Sequence, residues 1–290
     1  MLVLMTDGVC TDTSLPILRR DALLEGANDG VPWLFDMASL FSYPAQSAPA
    51  DGQLVRNLDE SGNDGSVVVQ SGDVVGYTGR GINYDGTTKI GNYIAGPAAA
   101  AASVWAAANQ YFIACVYLKL PTAGNWNTAG ALHEVFKFAE LHYLSGPELV
   151  MFAQQSGGDI SVRRQTGAGT ATTLDLTPAA GDYGAFVQLA FWRTAAGQFA
   201  RLKSANGTIT NTTSAGSNNT QDFSALVPQI GPARGLKGAD NGTTMAVAHQ
   251  NASKYRVYRG FVENLVTSGR DPSTVLDADY ARTVARAVYS

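Results

Sequence analysis

The acidic residues that come nearest to a catalytic pair lie in the predicted strand at residues 132–140. Hydrolysis of a glycosidic bond requires two carboxylates that flank the bond to be broken. Glu134 and Glu140 share one face of this strand by parity, but no carboxylate lies between them, and Phe136 and Phe138 occupy the same face. Ordinary surface or interface carboxylates show the same pattern. We therefore expect no catalytic residues and no enzymatic activity.

A catalytic metal site is not expected either. His133 and Glu134 begin a zinc-binding pattern in which two histidines four residues apart would bind the metal, but Lys137 stands at the position of the second histidine. The three histidines, which are His133, His142 and His249, have no cluster of cysteines to complete a site.

One loop carries several oxygen ligands of the kind that calcium prefers. Asp59, Asn63 and Asp64 lie close together in it, with Ser61 between them. Loops of this composition also form hydrogen bonds with their own backbone. We expect no cofactor, and calcium at Asp59, Asn63 and Asp64 stays an open alternative.

The candidate contact residues for a glycan or a protein partner are Trp126 and its neighbours Asn125 and Asn127. They lie in a polar loop, where the indole could stack on a sugar ring or fill a pocket in a neighbouring protein. The alternative is that Trp126 folds back over the end of its own domain.

Charge and hydropathy limit the range of partners. The net charge is −4 and is spread along the chain without a basic stripe, so we expect no nucleic-acid partner. No apolar run reaches the ~20 residues that span a bilayer, and the first residues lack a signal-peptide pattern. We expect no membrane insertion and synthesis in the cytoplasm. Charged residues make up only 15%, which fits a surface partly covered by other proteins or simply a polar uncharged surface.

The order of predicted elements indicates an all-β fold. Short β-rich runs alternate with Gly, Asn, Asp and Pro, and without amphipathic helices between them they predict a sandwich or barrel. These runs cover residues 66–70, 81–84, 111–120, 132–139, 149–154, 159–165, 170–176, 186–194, 198–204, 208–212 and 254–262.

Two runs differ in the burial that they predict. Residues 111–118 are apolar on both sides, which predicts a central strand covered on both faces. Residues 254–261 alternate, so that Arg256 faces away from Tyr255 and Val257, and we expect one side to face water or an interface. The predicted core includes Phe112, Val116, Leu118, Leu189, Phe191 and Val257.

The two ends of the chain differ from this middle part. Residues 1–55 are rich in proline and predict an irregular N-terminal arm, 56–268 the sandwich, and 269–290 a C-terminal helix packed on it. Asp271 caps that helix, and Pro272 occupies its first position. Helical spacing of apolar residues then involves Val275, Leu276, Tyr280, Val284 and Val288.

The running order of several segments resembles concanavalin A-like, laminin-G-like jelly rolls. In that family an Asp-rich turn precedes a strand with an aromatic-Asp-Gly corner, and the last core strand leads into a short helix. The matching segments are residues 57–65, 81–86, 112–118, 186–193, 197–207 and 255–259. The resemblance implies a concanavalin A-like jelly-roll β-sandwich with an extended N-terminal arm and a C-terminal helix.

The N-terminal segments 11–16, 21–24, 34–36 and 41–44 are similar to the leaders that precede this jelly roll in virion proteins of tailed bacteriophages. This resemblance implies a structural protein of the virion, in the tail, collar, baseplate, fibre or head decoration. Its partners would be other copies of itself and other virion proteins, because the apolar side chains of the arm need a surface that covers them. The alternative is a lectin-like adsorption protein that binds host surface glycans.

Overall fold

The computed structural model describes residues 21–59, 61–87, 91–122, 125, 133–139, 146–155, 157–232 and 254–290. Its strands are β1 (Trp33–Asp36), β2 (Leu54–Val55), β3 (Gly65–Val68), β4 (Gly76–Thr78), β5 (Gly81–Asn83), β6 (Tyr93–Ala95), β7 (Phe112–Lys119), β8 (His133–Ala139), β9 (Glu148–Gln154), β10 (Ile160–Gly167), β11 (Thr170–Leu176), β12 (Phe186–Thr194), β13 (Gly197–Ser204), β14 (Gly207–Thr213), β15 (Gln229–Ile230) and β16 (Arg256–Asn264). The helices are α1 (Ala99–Ala106), α2 (Leu265–Ser268) and α3 (Pro272–Ala285).

The strands form two antiparallel sheets that pack as a β-sandwich of the jelly-roll type, so the predicted fold class is confirmed. Sheet A has the order β14-β13-β12-β7-β16-β5-β4, and β1 also pairs with β16. Sheet B has the order β11-β10-β9-β8-β15-β6-β3-β2. None of the helices in the described ranges has both the length and the apolar character needed to cross a bilayer.

The core lies between the two sheets, where apolar side chains of alternating strand positions meet. Every residue of β7 except Lys119 is buried, as the two-sided apolar pattern predicts. All six predicted core residues are buried in the same hydrophobic cluster. They are Phe112, Val116, Leu118, Leu189, Phe191 and Val257.

The expectation of one wet side on residues 254–261 is correct only at Lys254 and Arg256, which are partly exposed. All residues of β16 after Arg256 are buried. Chain segments cover the outer face of sheet A here, because Leu276 and Val275 of α3 pack in one apolar cluster with Phe261. A β-bulge between Val257 and Arg259 also changes the alternation, so that Arg259 lies opposite Tyr117 and faces the covered side.

Residues 21–55 of the expected arm contribute to the sandwich. Trp33–Asp36 pairs with β16, and Trp33, Leu34 and Phe35 are fully buried within the chain itself. Gly260 permits this pairing, since a Cβ at that position would lie 2.7 Å from the Phe35 ring. These side chains therefore need no neighbouring subunit to cover them, which removes one argument for assembly through the arm.

The C-terminal helix is confirmed, with Asp271 accepting a hydrogen bond from the backbone N–H of Thr274. The predicted buried stripe is only partly correct. Val275 and Leu276 are buried, but Val284 is 47% and Val288 39% exposed. Asp279 and Thr283 take the buried positions, because Asp279 forms an ion pair beneath the helix.

Candidate functional site

A recess of about 140 Å³ opens at the end of the sandwich where β5 and β7 end and β16 begins. It is larger than the ~15 Å³ that one water needs and smaller than the ~300 Å³ of a pocket for a drug-sized ligand. It therefore fits one sugar residue or one small polar group. The residues that line it are Asp85, Lys119, Leu120, Pro121, Thr122, Asn125, Gly184, Lys254, Tyr255 and Arg256.

Backbone hydrogen bonds hold the walls of this recess. Pro121 follows the end of β7, where its missing N–H ends the sheet pairing. The Asn125 N–H donates to the Thr122 carbonyl (2.8 Å), and the Lys254 N–H donates to the Asn125 carbonyl (3.0 Å). Gly184 has a φ of +77°, a conformation that favours glycine, and its N–H donates to the Leu120 carbonyl (3.0 Å). These bonds connect the described residues on the two sides of the recess.

Three cations line the recess. Lys119 and Arg256 lie directly opposite each other on the antiparallel strands β7 and β16, and Lys254 comes two residues before Arg256. Neither lysine forms an ion pair with any part of the chain that the structure describes, and Asp85 is the one carboxylate among the lining residues. Like charges directly opposite on neighbouring strands destabilise a sheet. The recess therefore has unpaired positive charge.

Arg256 is held in place on one side only. Its Nη1 donates to the main-chain oxygen of Ser290, which also accepts a hydrogen bond from the Tyr258 hydroxyl (2.9 Å). Its Nε–H is buried and donates to no described acceptor. A buried donor without an acceptor costs about 1–3 kcal/mol.

Of the predicted contact residues, Asn125 lies at this recess. It is exposed, and its side-chain amide donates to Thr122 Oγ1 (2.9 Å). Trp126 and Asn127 lie outside the described residues, so their contact role stays a prediction.

The loop with the proposed calcium ligands forms hydrogen bonds within itself. Asp59 Oδ1 accepts from the N–H (2.9 Å) and the hydroxyl (2.7 Å) of Ser61, and Asp64 Oδ1 accepts from the Asn57 N–H (2.8 Å). Burial, partly offset by the bonds to Ser61 and reinforced by the nearby Asp64 and Asp29, raises the pKa of Asp59. Asn63 is exposed. Within the described ranges, no three His, Cys, Asp or Glu residues are grouped as metal ligands would be.

Strand β8 contains Glu134, one of the two carboxylates considered as a catalytic pair. His133 and Glu134 lie opposite Gln154 and Ala153 of β9, and Glu140 lies outside the described residues. On the outer face of sheet B a row of cross-strand neighbours includes Gln229, Lys137, Met151 and Arg163. These residues are buried.

A second recess, of about 420 Å³, lies beside α3, and its charges are paired. Arg259, which is fully buried, forms ion pairs with Asp21 (2.8 Å), Asp279 (2.8 Å) and Asp36 (3.5 Å). Arg286 pairs with Asp36 as well. Burial acts to raise the pKa of Asp21, but the charge and hydrogen bonds of Arg259 outweigh it and lower that pKa below its usual value.

Other proteins share this fold. No family model matches the chain, and no curated protein matches it. Among solved structures it is similar to a GH54 α-L-arabinofuranosidase, with 12% identity over 73% of this chain and 47% of that chain and a TM-score of 0.43. It is also similar to the CBM2 module of the evolved Dit of Lactobacillus casei BL23 phage J-1 (14% identity, 81% of this chain and 95% of that chain, TM-score 0.42). An alginate lyase from Klebsiella pneumoniae gives 10% identity over 74% and 85%, with a TM-score of 0.40.

These are likenesses of fold alone. The chain spans about half the length of the arabinofuranosidase. The expectation that the chain is not an enzyme is nevertheless corrected, because a glycoside hydrolase and a lyase are among the proteins with a similar fold. Neither the spacing of Glu134 and Glu140 nor the incomplete zinc-binding pattern at His133 excludes an activity, and a fold does not by itself fix one.

Sequence reasoning missed the charged residues of the recess. Lys119 ends an apolar strand and Lys254 begins an alternating one, so each reads as an ordinary surface residue. Their proximity depends on the pairing of β7 with β16, which are separated by more than a hundred residues along the chain.

Proposed function

We propose that the chain is a component of a tailed-bacteriophage particle that binds a glycan of the host surface through the recess at the end of the sandwich. The observation that carries this proposal is the recess itself, where Lys119 and Lys254 form no ion pair with any described residue and Arg256 adds a third cation. Sugar hydroxyl and acid groups are acceptors for such donors. Placement in a particle rests on the similarity of the N-terminal segments to virion proteins.

Protein contacts within the particle are a second candidate, which a different observation favours. Strand β14 forms one edge of sheet A and pairs only with β13 among the described strands. Five of its seven residues are exposed, and they are mainly Thr and Asn. An edge strand offers backbone groups to a strand of another protein. In this case the chain would serve as a structural part of the tail, collar, baseplate, fibre or head decoration.

A glycan array with bacterial surface saccharides tests the first candidate. The wild-type chain is compared with Thr122→Tyr, whose ring would fill the mouth of the recess, because Thr122 is exposed and lines it. The matched control is Thr173→Tyr, at an exposed position of β11. We expect binding by the wild type and the control and a loss of at least ~10-fold in Thr122→Tyr, since a ligand group would lose its charge-assisted hydrogen bonds. Equal binding by all three proteins would contradict the proposal.

Reconstruction of particles addresses the second candidate. If the chain is a structural component, density for it will be continuous with neighbouring subunits at β14. A Thr210→Pro change at this edge should then reduce incorporation, because proline removes one backbone donor. Thr210 is exposed, so the folded chain should persist.

A further inference from the structure

We infer that the group which enters the recess is an oxyanion carried by the glycan, either a carboxylate or a phosphate. This inference rests on the proposed function, since it concerns the same recess. It concerns the chemical class of the ligand, which glycan binding alone would leave open.

The first argument is the local charge. Lys119, Lys254 and Arg256 bring three cations to one recess, and Asp85, the carboxylate among its lining residues, is exposed and has no ion pair with them. A ligand with one negative charge would offset the repulsion between Lys119 and Arg256, which face each other across strands at a Cβ separation of about 5 Å. A neutral sugar would leave that repulsion in place.

The larger recess beside α3 differs from this one in that its charges are paired. There Arg259, Arg282 and Arg286 meet the carboxylates of Asp21, Asp36 and Asp279, so that each guanidinium has an ion-pair partner. An anion entering that recess would compete with the two carboxylates that line it, Asp21 and Asp279. In the smaller recess, at the end of the sandwich, no described carboxylate forms an ion pair with Lys119 or Lys254. The smaller recess is therefore the one with positive charge available to a ligand.

The size of the recess and the net charge of the chain also limit how an anionic glycan can bind. A recess of about 140 Å³ holds one carboxylate or phosphate with part of its sugar, so the rest of a polymer would lie outside. The chain has a net charge of −4, which repels a polyanion at a distance. That repulsion is screened beyond about 8 Å at physiological salt, whereas contacts inside the recess are screened less. Binding should therefore depend on the local cations.

The inference is tested by calorimetric titration with three ligands of similar length: an oligogalacturonate for the carboxylate, a poly(glycerol phosphate) oligomer for the phosphate, and a neutral gluco-oligosaccharide. The variants are Lys119→Gln, Lys254→Gln and both together. The matched control is Lys203→Gln on β13, which removes the same charge from an ion pair with Asp277 of α3. Thermal unfolding confirms that each variant is folded.

We expect at least one anionic oligomer to bind more tightly than the neutral one, by about tenfold or more. Each single change should weaken that binding by about five- to tenfold, and Lys203→Gln should leave it within about twofold. The preferred oligomer identifies the source as carboxylate or phosphate. Equal binding of the neutral oligomer, unaffected by either change, would overturn the inference while the proposed function stands. If none of the three oligomers binds and the glycan array is also negative, both fail.

Discussion

Arg256 and Arg259 lie three residues apart on β16, and their surroundings differ in charge. Arg259 is buried among Asp21, Asp36 and Asp279, with Tyr117 of the neighbouring strand also donating to Asp279 (2.7 Å). Arg256 faces Lys119 across the same pair of strands. The difference shows that one face of a sheet contains both a neutralised network, which joins the ends of the described chain to the sandwich, and a cationic recess that is open to a ligand.

The largest expected effect comes from removing the cation of the neutralised network. Arg259→Met removes the buried cation that pairs with three carboxylates. The free energy of unfolding should therefore fall by about 3–5 kcal/mol. The same substitution at Arg256, on the same strand, should cost under about 1.5 kcal/mol, because it removes one hydrogen bond and relieves repulsion with Lys119. Urea unfolding of both variants checks this. Equal losses would show that the two arginines do not differ in the way described.

Acid should weaken the same network. The pKa of Asp21 is lowered in the folded state, so its stabilising contribution is complete above its unfolded pKa of about 3.9 and is lost as the pH falls through the lower folded value. The unfolding free energy of the wild type should therefore decline below about pH 4. In Asp21→Asn this part of the decline should be absent. The unfolding free energies of the two proteins are measured from about pH 2 to about pH 5, a range that includes the folded and unfolded pKa values. Identical slopes of unfolding free energy against pH would rule out the role of Asp21.

The smallest expected effect on stability concerns the recess. Lys119→Gln removes one of two like charges that face each other, so the unfolding free energy should stay the same or rise by up to about 0.5 kcal/mol. Added salt should stabilise the wild type more than the variant, since it screens the repulsion. A loss of more than ~1 kcal/mol would mean that the Lys119 ammonium has a stabilising partner.

The sequence predicted those parts of the fold that depend on local pattern. The apolar run of β7 and the capped helix at Asp271 follow from periodicity and end signals within a few residues. It did not predict that Asp279 would be buried, because this requires Arg259 from another element as a partner. Likewise, Trp33–Asp36 is too short and too close to prolines to show a strand pattern, and it becomes a strand by pairing with β16.

The candidate site shows the same division. The turn chemistry around Asn125 marked a loop that could contact a ligand, and Asn125 does line the recess. The sequence did not predict that Lys119, Lys254 and Arg256 would line a recess. A lysine at the end of a strand is usually solvated, and its charged neighbours depend on which residue lies opposite. Only the register between β7 and β16 brings Lys119 and Arg256 together.

Nuclear magnetic resonance can locate a ligand bound at the recess that contains Lys119 and Lys254. Backbone amide shifts are recorded while the labelled chain is titrated with the anionic oligomer that binds best. The account predicts shifts at Lys119, Thr122, Asn125 and Lys254 and unchanged positions for Arg259 and Asp279. Shifts centred on Arg259 and Asp279, with the recess residues unchanged at saturation, would contradict it.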